Sequence, residues 1–366
     1  MHEINTNRRM TLHIFNPEHD IALAANLSNF TAPHAGRQLR HDLGFLPALW
    51  AEEGDIVLVD DVELAEQSFR KFAPSAHRHL GRSLLRGNSQ FAPWKLPVSL
   101  RETPSFLPWG WDLALRARLK RMGIAESLLP TDAQLETIRQ LSHRRIASQL
   151  LPRLQCDDTI GESFECYSAI QVEELLKKYG QVVMKAPWSS SGRGLRFLDI
   201  ERTPLQMQAG WLRNILEAQG SVMVEPFYHK VKDFAMEFSA TAEGDVRYEG
   251  LSLFHTANGA YTGNVLATES AKQELISRYI SINLLKDIQE NICRELAPVL
   301  KDRYVGPFGV DMMICAGLKV HPCVEINLRR TMGHVALSLS PYDDDILRVM
   351  RIEYSENNYK LRIQRL

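Results

Sequence analysis

Residues 180–195 read Gly180-Gln-Val-Val-Met-Lys185-Ala-Pro-Trp-Ser189-Ser-Ser-Gly192-Arg-Gly194-Leu195. The apolar, partly β-branched residues before Lys185 predict a short buried strand, which Gly180 and Pro187 bound. Apolar residues resume at Leu195, so the serines and glycines between are expected at the tip of a hairpin. Small side chains leave the backbone N–H groups of such a tip free to surround an anion. A lysine entering it suits the phosphates of a nucleotide, and an ordinary mobile hairpin is the alternative.

The segment differs from the two commonest phosphate-binding motifs. A Walker A loop places its lysine after the glycines and continues into a helix, whereas Lys185 precedes Gly192 and Gly194. The dinucleotide pattern G-x-G-x-x-G is absent from the segment as well. A nucleotide site therefore needs support from other parts of the chain.

The bulk composition is that of a globular protein with two or three domains. The chain has 366 residues, of which 45% are hydrophobic and 24% charged. A net charge of −1 gives no electrostatic reason to expect nucleic acid or an anionic membrane as partner. No apolar run is long enough to span a bilayer, and no signal peptide is recognisable. Five cysteines without C-x-x-C disfavour a disulfide framework and a zinc knuckle, so the expected location is cytoplasmic.

The first third of the chain predicts a small α/β domain. Residues 12–15 form a strand that a polar turn connects to a helix, and His19 and Asp20 lie in that turn. This pair is either functional or explained by Asp20 as a helix N-cap. Residues 93–111 are rich in proline and tryptophan, which predicts irregular chain held by aromatic burial.

Two later segments carry separate expectations. Residues 275–300 have the pattern of one long helix. Residues 254–264 are polar and glycine-rich, and include His255, and we interpret them either as a substrate-contacting loop or as an ordinary surface loop.

Two strands near residue 320 predict a metal site. Asp311 lies in an apolar segment, and a tight turn connects that segment to a second strand with Glu325 and Asn327. Side chains two residues apart on a strand point to the same face, and the hairpin can set Asp311 beside them. Carboxylate and amide oxygens are ligands that Mg²⁺ prefers. The alternative is that the two acids pair with Arg329 and Arg330 in a structural role.

Together, four ordered motifs resemble the ATP-grasp superfamily, which includes biotin carboxylase and D-alanine–D-alanine ligase. They are Lys185 with residues 189–194, Val222 to Tyr228, Gly309-Val310-Asp311, and Glu325-Ile326-Asn327-Leu328-Arg329. The resemblance covers residues 141–339, and its most specific part is the Glu-x-Asn-x-Arg pattern after the Gly-Val-Asp strand.

The resemblance implies an α/β protein with the ATP-grasp fold, in three domains. These are an N-terminal α/β domain (1–129), a lid subdomain with the phosphate-binding flap (130–224), and a C-terminal subdomain with the adenine hinge and magnesium site (225–366).

The resemblance also implies roles for single residues toward ATP and two Mg²⁺ ions. Arg144 or Arg145 replaces an early lysine at the α-phosphate, Lys185 contacts the α- and β-phosphates, and Arg329 faces the γ-phosphate or an acyl phosphate. The remaining expected contacts are Ser190, Ser191 and Gly192 in the flap, Glu225, Pro226, Phe227 and Tyr228 in the hinge, Asp233 at the ribose, and Asp311, Glu325 and Asn327 at the metal.

Enzymes of this type phosphorylate a carboxylate with ATP and let an amine or thiol displace the phosphate. The resemblance therefore implies a ligase that releases ADP and phosphate and acts on a small carboxylate and a nucleophile, with a homodimer as one assembly. A small-molecule kinase is the second interpretation, and a non-catalytic ATP-binding protein the third. His334 and Arg330 could face an anionic substrate, and Asn16, Glu18 and His19 could line its pocket.

Overall fold

A computed structural model describes residues 10–80, 91–95, 104–189, 194–257, 260–342 and 346–366, with the backbone alone at 73–80, 257 and 260. Within these ranges the helices are α1 (His19–Ala25), α2 (His34–Leu43), α3 (Val62–Leu80), α4 (Leu113–Arg121), α5 (Asp132–Leu141), α6 (Arg145–Leu154), α7 (Ala169–Tyr179), α8 (Ala209–Gln219), α9 (Glu269–Ser277), α10 (Ile282–Leu300) and α11 (Met332–Leu339).

The strands are β1 (Thr11–Ile14), β2 (Ile56–Val59), β3 (Phe91–Pro93), β4 (Ser105–Pro108), β5 (Phe164–Cys166), β6 (Gln181–Lys185), β7 (Leu195–Asp199), β8 (Val222–Pro226), β9 (Lys230–Ala240), β10 (Val246–Ser252), β11 (Phe254–Ala257), β12 (Ala260–Leu266), β13 (Gly306–Cys315), β14 (Val320–Asn327), β15 (Arg348–Ser355) and β16 (Asn358–Arg365). The chain divides into two compact units, residues 1–136 with 335–366, and residues 137–334.

The first unit is built on a parallel sheet with strand order β3-β2-β1-β4. Its central strands are apolar and buried, with Leu12 and Val57 fully excluded from solvent, as expected for a parallel sheet covered on both faces. The hairpin of β15 and β16 belongs to this unit too, and the backbone N–H of Tyr359 donates to the Asp42 carboxylate on α2 at 2.7 Å.

The second unit begins with the antiparallel sheet β5-β8-β6-β7. Helices α7 and α8 bury an apolar face that includes Val172 and Leu212 against the inward side chains of this sheet, among them Val182 and Met184. Ser168 caps α7 by accepting from the Gln171 N–H.

The second sheet of this unit has the order β10-β9-β13-β14 and is antiparallel throughout. Its long central strands β9 and β13 have buried phenylalanines at positions 238 and 308 that stack at 5.4 Å. Helix α10 presents Leu285, Ile288 and Ile292 as buried residues on one side. This sheet provides the flat surface on which the candidate acidic residues lie.

The structure corrects three expectations about local structure. Residues 105–108, predicted as irregular chain, are the edge strand β4, and an edge strand can accommodate a proline because one side of its backbone is unpaired. The single helix predicted over 275–300 is two helices, because the Ser281 hydroxyl accepts the Leu284 N–H at 3.1 Å and starts α10. The polar segment from residue 254 contains the hairpin strands β11 and β12, with residues 258 and 259 outside the described ranges.

In the part of the chain that the structure describes, no helix combines the length and the apolar character that crossing a membrane requires.

Candidate active site

Lys185 is the last residue of strand β6 and is buried at 6% exposure. Its ammonium lies 2.5 Å from the Glu225 carboxylate on the neighbouring antiparallel strand β8. Because both side chains are removed from water, each charge depends on the other for compensation. Strand β6 therefore holds the Lys185 ammonium at the point where the serine–glycine segment begins.

The segment after Lys185 closes as a hairpin at its base. The Ala186 N–H donates to the Gly194 carbonyl at 2.8 Å, and β7 pairs with β6 in register from there. A Cβ on Gly194 would lie 2.3 Å from the Ser189 hydroxyl, so only glycine fits this closing position. Ser190, Ser191 and Gly192, which we expect to bind phosphate, lie outside the described residues, and their role stays a prediction.

Arg144 connects the base of this hairpin to strand β14, which contains Glu325. It is buried, its guanidinium donates to the Ala186 carbonyl and to the Ser189 hydroxyl (2.8 Å), and it reaches the Glu325 carboxylate at 2.8 Å. Its backbone N–H also donates to the Pro187 carbonyl at 3.3 Å. Of the two arginines considered for the α-phosphate, Arg144 contacts Ala186 and Glu325, whereas Arg145 donates to Gln140 and lies 3.7 Å from Glu165.

The predicted adenine hinge follows β8. The side chain of Phe227 is partly exposed and packs edge-on against Phe197, with the two ring centroids 6.0 Å apart. The Tyr228 hydroxyl accepts the Glu162 N–H at 2.8 Å, and its ring packs against buried His321 at 5.6 Å. Burial of Tyr228 raises the pKa of its phenol, so this hydroxyl stays protonated.

Asp233, the expected ribose-binding residue, lies on β9. Its carboxylate accepts from the Lys230 ammonium at 2.5 Å and from the Thr256 hydroxyl at 2.7 Å. The residue is therefore partnered, and a ribose hydroxyl would join or replace these contacts.

The acidic residues occupy one face of the sheet. Asp311 on β13 lies directly opposite Glu325 on β14, and Gly309 lies opposite Asn327. The Asn327 amide donates to Asp311 at 3.0 Å, while its oxygen accepts from Arg329 at 3.0 Å. Arg329 therefore contacts Asn327, and among the described arginines it is Arg144 that pairs with Glu325.

The electrostatics of this face favour a cation. Burial, together with the neighbouring carboxylates of Glu325 and Glu237, raises the pKa of Asp311 to about 8. Carboxylates that crowd one another in a poorly solvated place are stabilised by a bound metal ion. No cluster of three His, Cys, Asp or Glu side chains in metal-binding geometry occurs among the residues described, so ligation would also use the amide oxygen of Asn327 after a rotation of that side chain.

Most of the chain aligns with several solved structures, although their sequences are very different from it. An ADP complex of N5-carboxyaminoimidazole synthetase from Staphylococcus aureus is 11% identical and has a TM-score of 0.53, with 96% of this chain and 84% of that chain covered. The biotin carboxylase domain dimer of Hydrogenobacter thermophilus 2-oxoglutarate carboxylase, with MgADP and bicarbonate, is 11% identical with a TM-score of 0.53, covering 94% and 74%. The chain has the ATP-grasp fold.

A third structure agrees with this assignment. N5-carboxyaminoimidazole synthase from Aspergillus clavatus, in complex with ADP and an aminoimidazole ribonucleotide, is 11% identical with a TM-score of 0.51, covering 94% and 82%. No family model matches the sequence, and a search of curated proteins finds no match. The ATP-grasp prediction made from four short motifs is thus confirmed at the level of fold.

Sequence reasoning missed Glu237, which lies on the acidic face of this ATP-grasp sheet. It is opposite Gly309 on the adjacent strand, so Glu237, Gly309 and Asn327 form one row across the sheet. Its buried carboxylate accepts from the Thr331 hydroxyl at 2.8 Å and lies 3.0 Å from His334. The apolar run of β9 contains the signal, because a glutamate between buried Met236 and Phe238 needs a specific partner.

Three further candidates from the sequence are His19, Asp20 and Arg330. Buried His19 contacts Asp112 at 3.2 Å in the first unit, where Asp112 caps α4, and α1 already begins at His19 with Asp20 in its first turn. The alternative that Asp20 caps this helix is wrong, since Glu18 occupies the N-cap position.

Burial lowers the pKa of the Arg330 guanidinium to about 10.

Proposed function

We propose that this protein is an ATP-dependent carboxylate–amine or carboxylate–thiol ligase that acts through an acyl phosphate and releases ADP and phosphate. The observation that carries the proposal is the meeting of two distant pieces of chain at Arg144, which touches both Ser189 at the hairpin base and Glu325 on the acidic strand. This contact supports the assignment of Lys185 and the acidic face to one site.

The charges of this site suit a triphosphate with its metal. Lys185 and Arg144 supply cations on one side, and Asp311 and Glu325 supply anions on the other, with Arg329 next to Asn327. Cations fixed in a poorly solvated place stabilise developing negative charge more strongly than they would in water.

Asp311, Glu325 and Asn327 would hold Mg²⁺, which neutralises phosphate oxygens when bound. Arg144 would exchange its contact with Glu325 for a phosphate oxygen, since a guanidinium forms paired hydrogen bonds with either group. Phe227 and Tyr228 would flank the adenine. The ADP and MgADP in the compared structures support nucleotide binding at this fold.

The test is a coupled assay of ADP and phosphate release from the full chain, with ATP, Mg²⁺ and pools of carboxylic acids and amines. We expect a substrate pair that releases both products, and a loss of about a hundredfold or more in rate for Lys185→Ala. Lys177→Ala is the matched control, because this lysine is 65% exposed and pairs with Glu173 on a helix surface.

Each outcome discriminates among the three interpretations. ADP release with a stable phosphorylated product and no free phosphate indicates a kinase. Binding of ATP without turnover in any pool indicates a non-catalytic protein. Equal activity of the Lys185→Ala protein and the Lys177→Ala protein places the chemistry elsewhere and contradicts the proposed site.

A further inference from the structure

The first unit contains a pocket of its own, separate in sequence from the residues discussed for ATP. Its volume is about 160 Å³, and arginines from two helices line it. Arg37 and Arg40 come from α2, and Arg118 and Arg121 come from α4. Each pair is spaced by three residues, so its members lie on the same face of their helix.

Two of these arginines are already neutralised by fixed acids. Arg40 binds both Glu18 and Asp60, and Arg118 binds Asp60 at 3.2 Å. The Arg118 guanidinium also lies 3.4 Å above the ring of Trp94. These contacts hold the inner wall of the pocket in place and leave little of its charge for a ligand.

The other two arginines provide the excess positive charge. Arg37 and Arg121 are exposed, and neither forms an ion pair with a carboxylate among the described residues. Arg37 donates to the Ala32 carbonyl at 2.8 Å, which directs its guanidinium without neutralising it. The second acid of the lining, Asp112, is occupied by the Leu115 N–H and by His19.

Two buried polar atoms of the lining residues have no hydrogen-bond partner in the part of the chain that is described. They are Oε2 of Glu18, whose side chain is 10% exposed, and Nε1 of Trp94. Buried polar atoms in folded proteins are almost always paired, so each calls for a water or a ligand atom. An indole N–H can only donate, and it therefore suits an anion.

We propose that this pocket binds a small organic anion, a carboxylate or phosphate ester, through Arg37 and Arg121. The ligand also carries a hydroxyl or amino group, which donates a hydrogen bond to Oε2 of Glu18. A pocket of about 160 Å³ fits a small metabolite and is below the several hundred Å³ typical of sites for larger ligands. Glu18 is also one of the residues that the sequence predicts in the pocket of an anionic substrate, and binding to this pocket can be tested with no nucleotide present.

The experiment is calorimetric titration of the full chain without ATP, using L-glutamate, malate, glycerol 3-phosphate and inorganic phosphate in separate arms. We expect saturable binding of one of the first three with a dissociation constant below about 1 mM, and weaker binding of inorganic phosphate, which lacks the second functional group. Tighter binding of L-glutamate or malate indicates a carboxylate ligand, and tighter binding of glycerol 3-phosphate indicates a phosphate ester.

Variants then locate the bound anion. Arg37→Gln and Arg121→Gln should each weaken binding by about tenfold, the effect of losing one charge-assisted hydrogen bond. Arg70→Gln is the matched control, since Arg70 is on α3, is 74% exposed and does not line the pocket. Lys185→Ala should also leave binding unchanged, which separates this pocket from the phosphate site of the proposed ligase.

Two results would overturn the proposal. One is that none of the three organic anions binds with a dissociation constant below about 1 mM. The other is that binding occurs but survives both Arg37→Gln and Arg121→Gln unchanged, which would mean that the anion binds elsewhere.

Discussion

Breaking the contact between Arg144 and Glu325 should destabilise the second unit by an amount that a double-mutant cycle can isolate. The two charged groups are 2.8 Å apart, and their side chains are 7% and 26% exposed. Unit charges about 4 Å apart attract by about 4 kcal/mol at an effective dielectric constant of about 20. Solvent around the partly exposed Glu325 side chain screens part of this attraction, and we expect a coupling free energy of about 2 kcal/mol.

The cycle consists of Arg144→Met, Glu325→Leu and the double variant, with the free energy of unfolding measured by urea titration without nucleotide or metal. The surface pair Arg153–Glu295, at 3.5 Å with Arg153 53% exposed, is the control cycle and should show at most about 0.5 kcal/mol. A coupling for Arg144 and Glu325 no larger than that of the control would refute the view that a buried ion pair joins the hairpin base to the acidic strand.

Three further predictions concern stability. Because the pKa of Asp311 is raised to about 8 in the folded chain, the metal-free protein should lose stability as pH rises from about 4 to 8, and Asp311→Asn should flatten this dependence in urea titrations with EDTA; an unchanged profile would contradict the assignment. Gly333→Ala should destabilise by about 1–3 kcal/mol, since its Cβ would overlap the Glu237 carboxylate, whereas Gly210→Ala in an open helix position should stabilise by up to about 1 kcal/mol. Ser281→Ala should lower the free energy of unfolding by about 1 kcal/mol through loss of the α10 cap, and a value near zero would mean that the hydroxyl is replaceable there.

The parts of the fold that the sequence predicts are those in which local chemistry and tertiary structure agree. Strand β6 with Lys185 and the hairpin of β13 and β14 follow from apolar runs bounded by glycine or proline. In the motif at residues 325–329, Glu325 and Asn327 are two residues apart. Strand alternation therefore places their side chains on one face.

The parts that sequence reasoning missed depend on long-range partners. Strand β4 is proline-containing chain that becomes a strand only because β1 offers it a free edge. Glu237 joins the acidic face because its neighbour across the sheet is Gly309, which leaves room for a carboxylate. Arg144 reaches Glu325 from far away in the sequence, a contact that no local pattern indicates.

The hairpin of β13 and β14 makes the acidic face sensitive to chain length. Asp311 and Glu325 face each other across paired strands, and the turn at Ala316–Leu318 and a bulge beyond Asp311 lie between them. Adding or removing one residue there would shift the pairing by one and turn one carboxylate to the opposite side of the sheet. In related chains, insertions and deletions between these two acids should therefore be tolerated in twos.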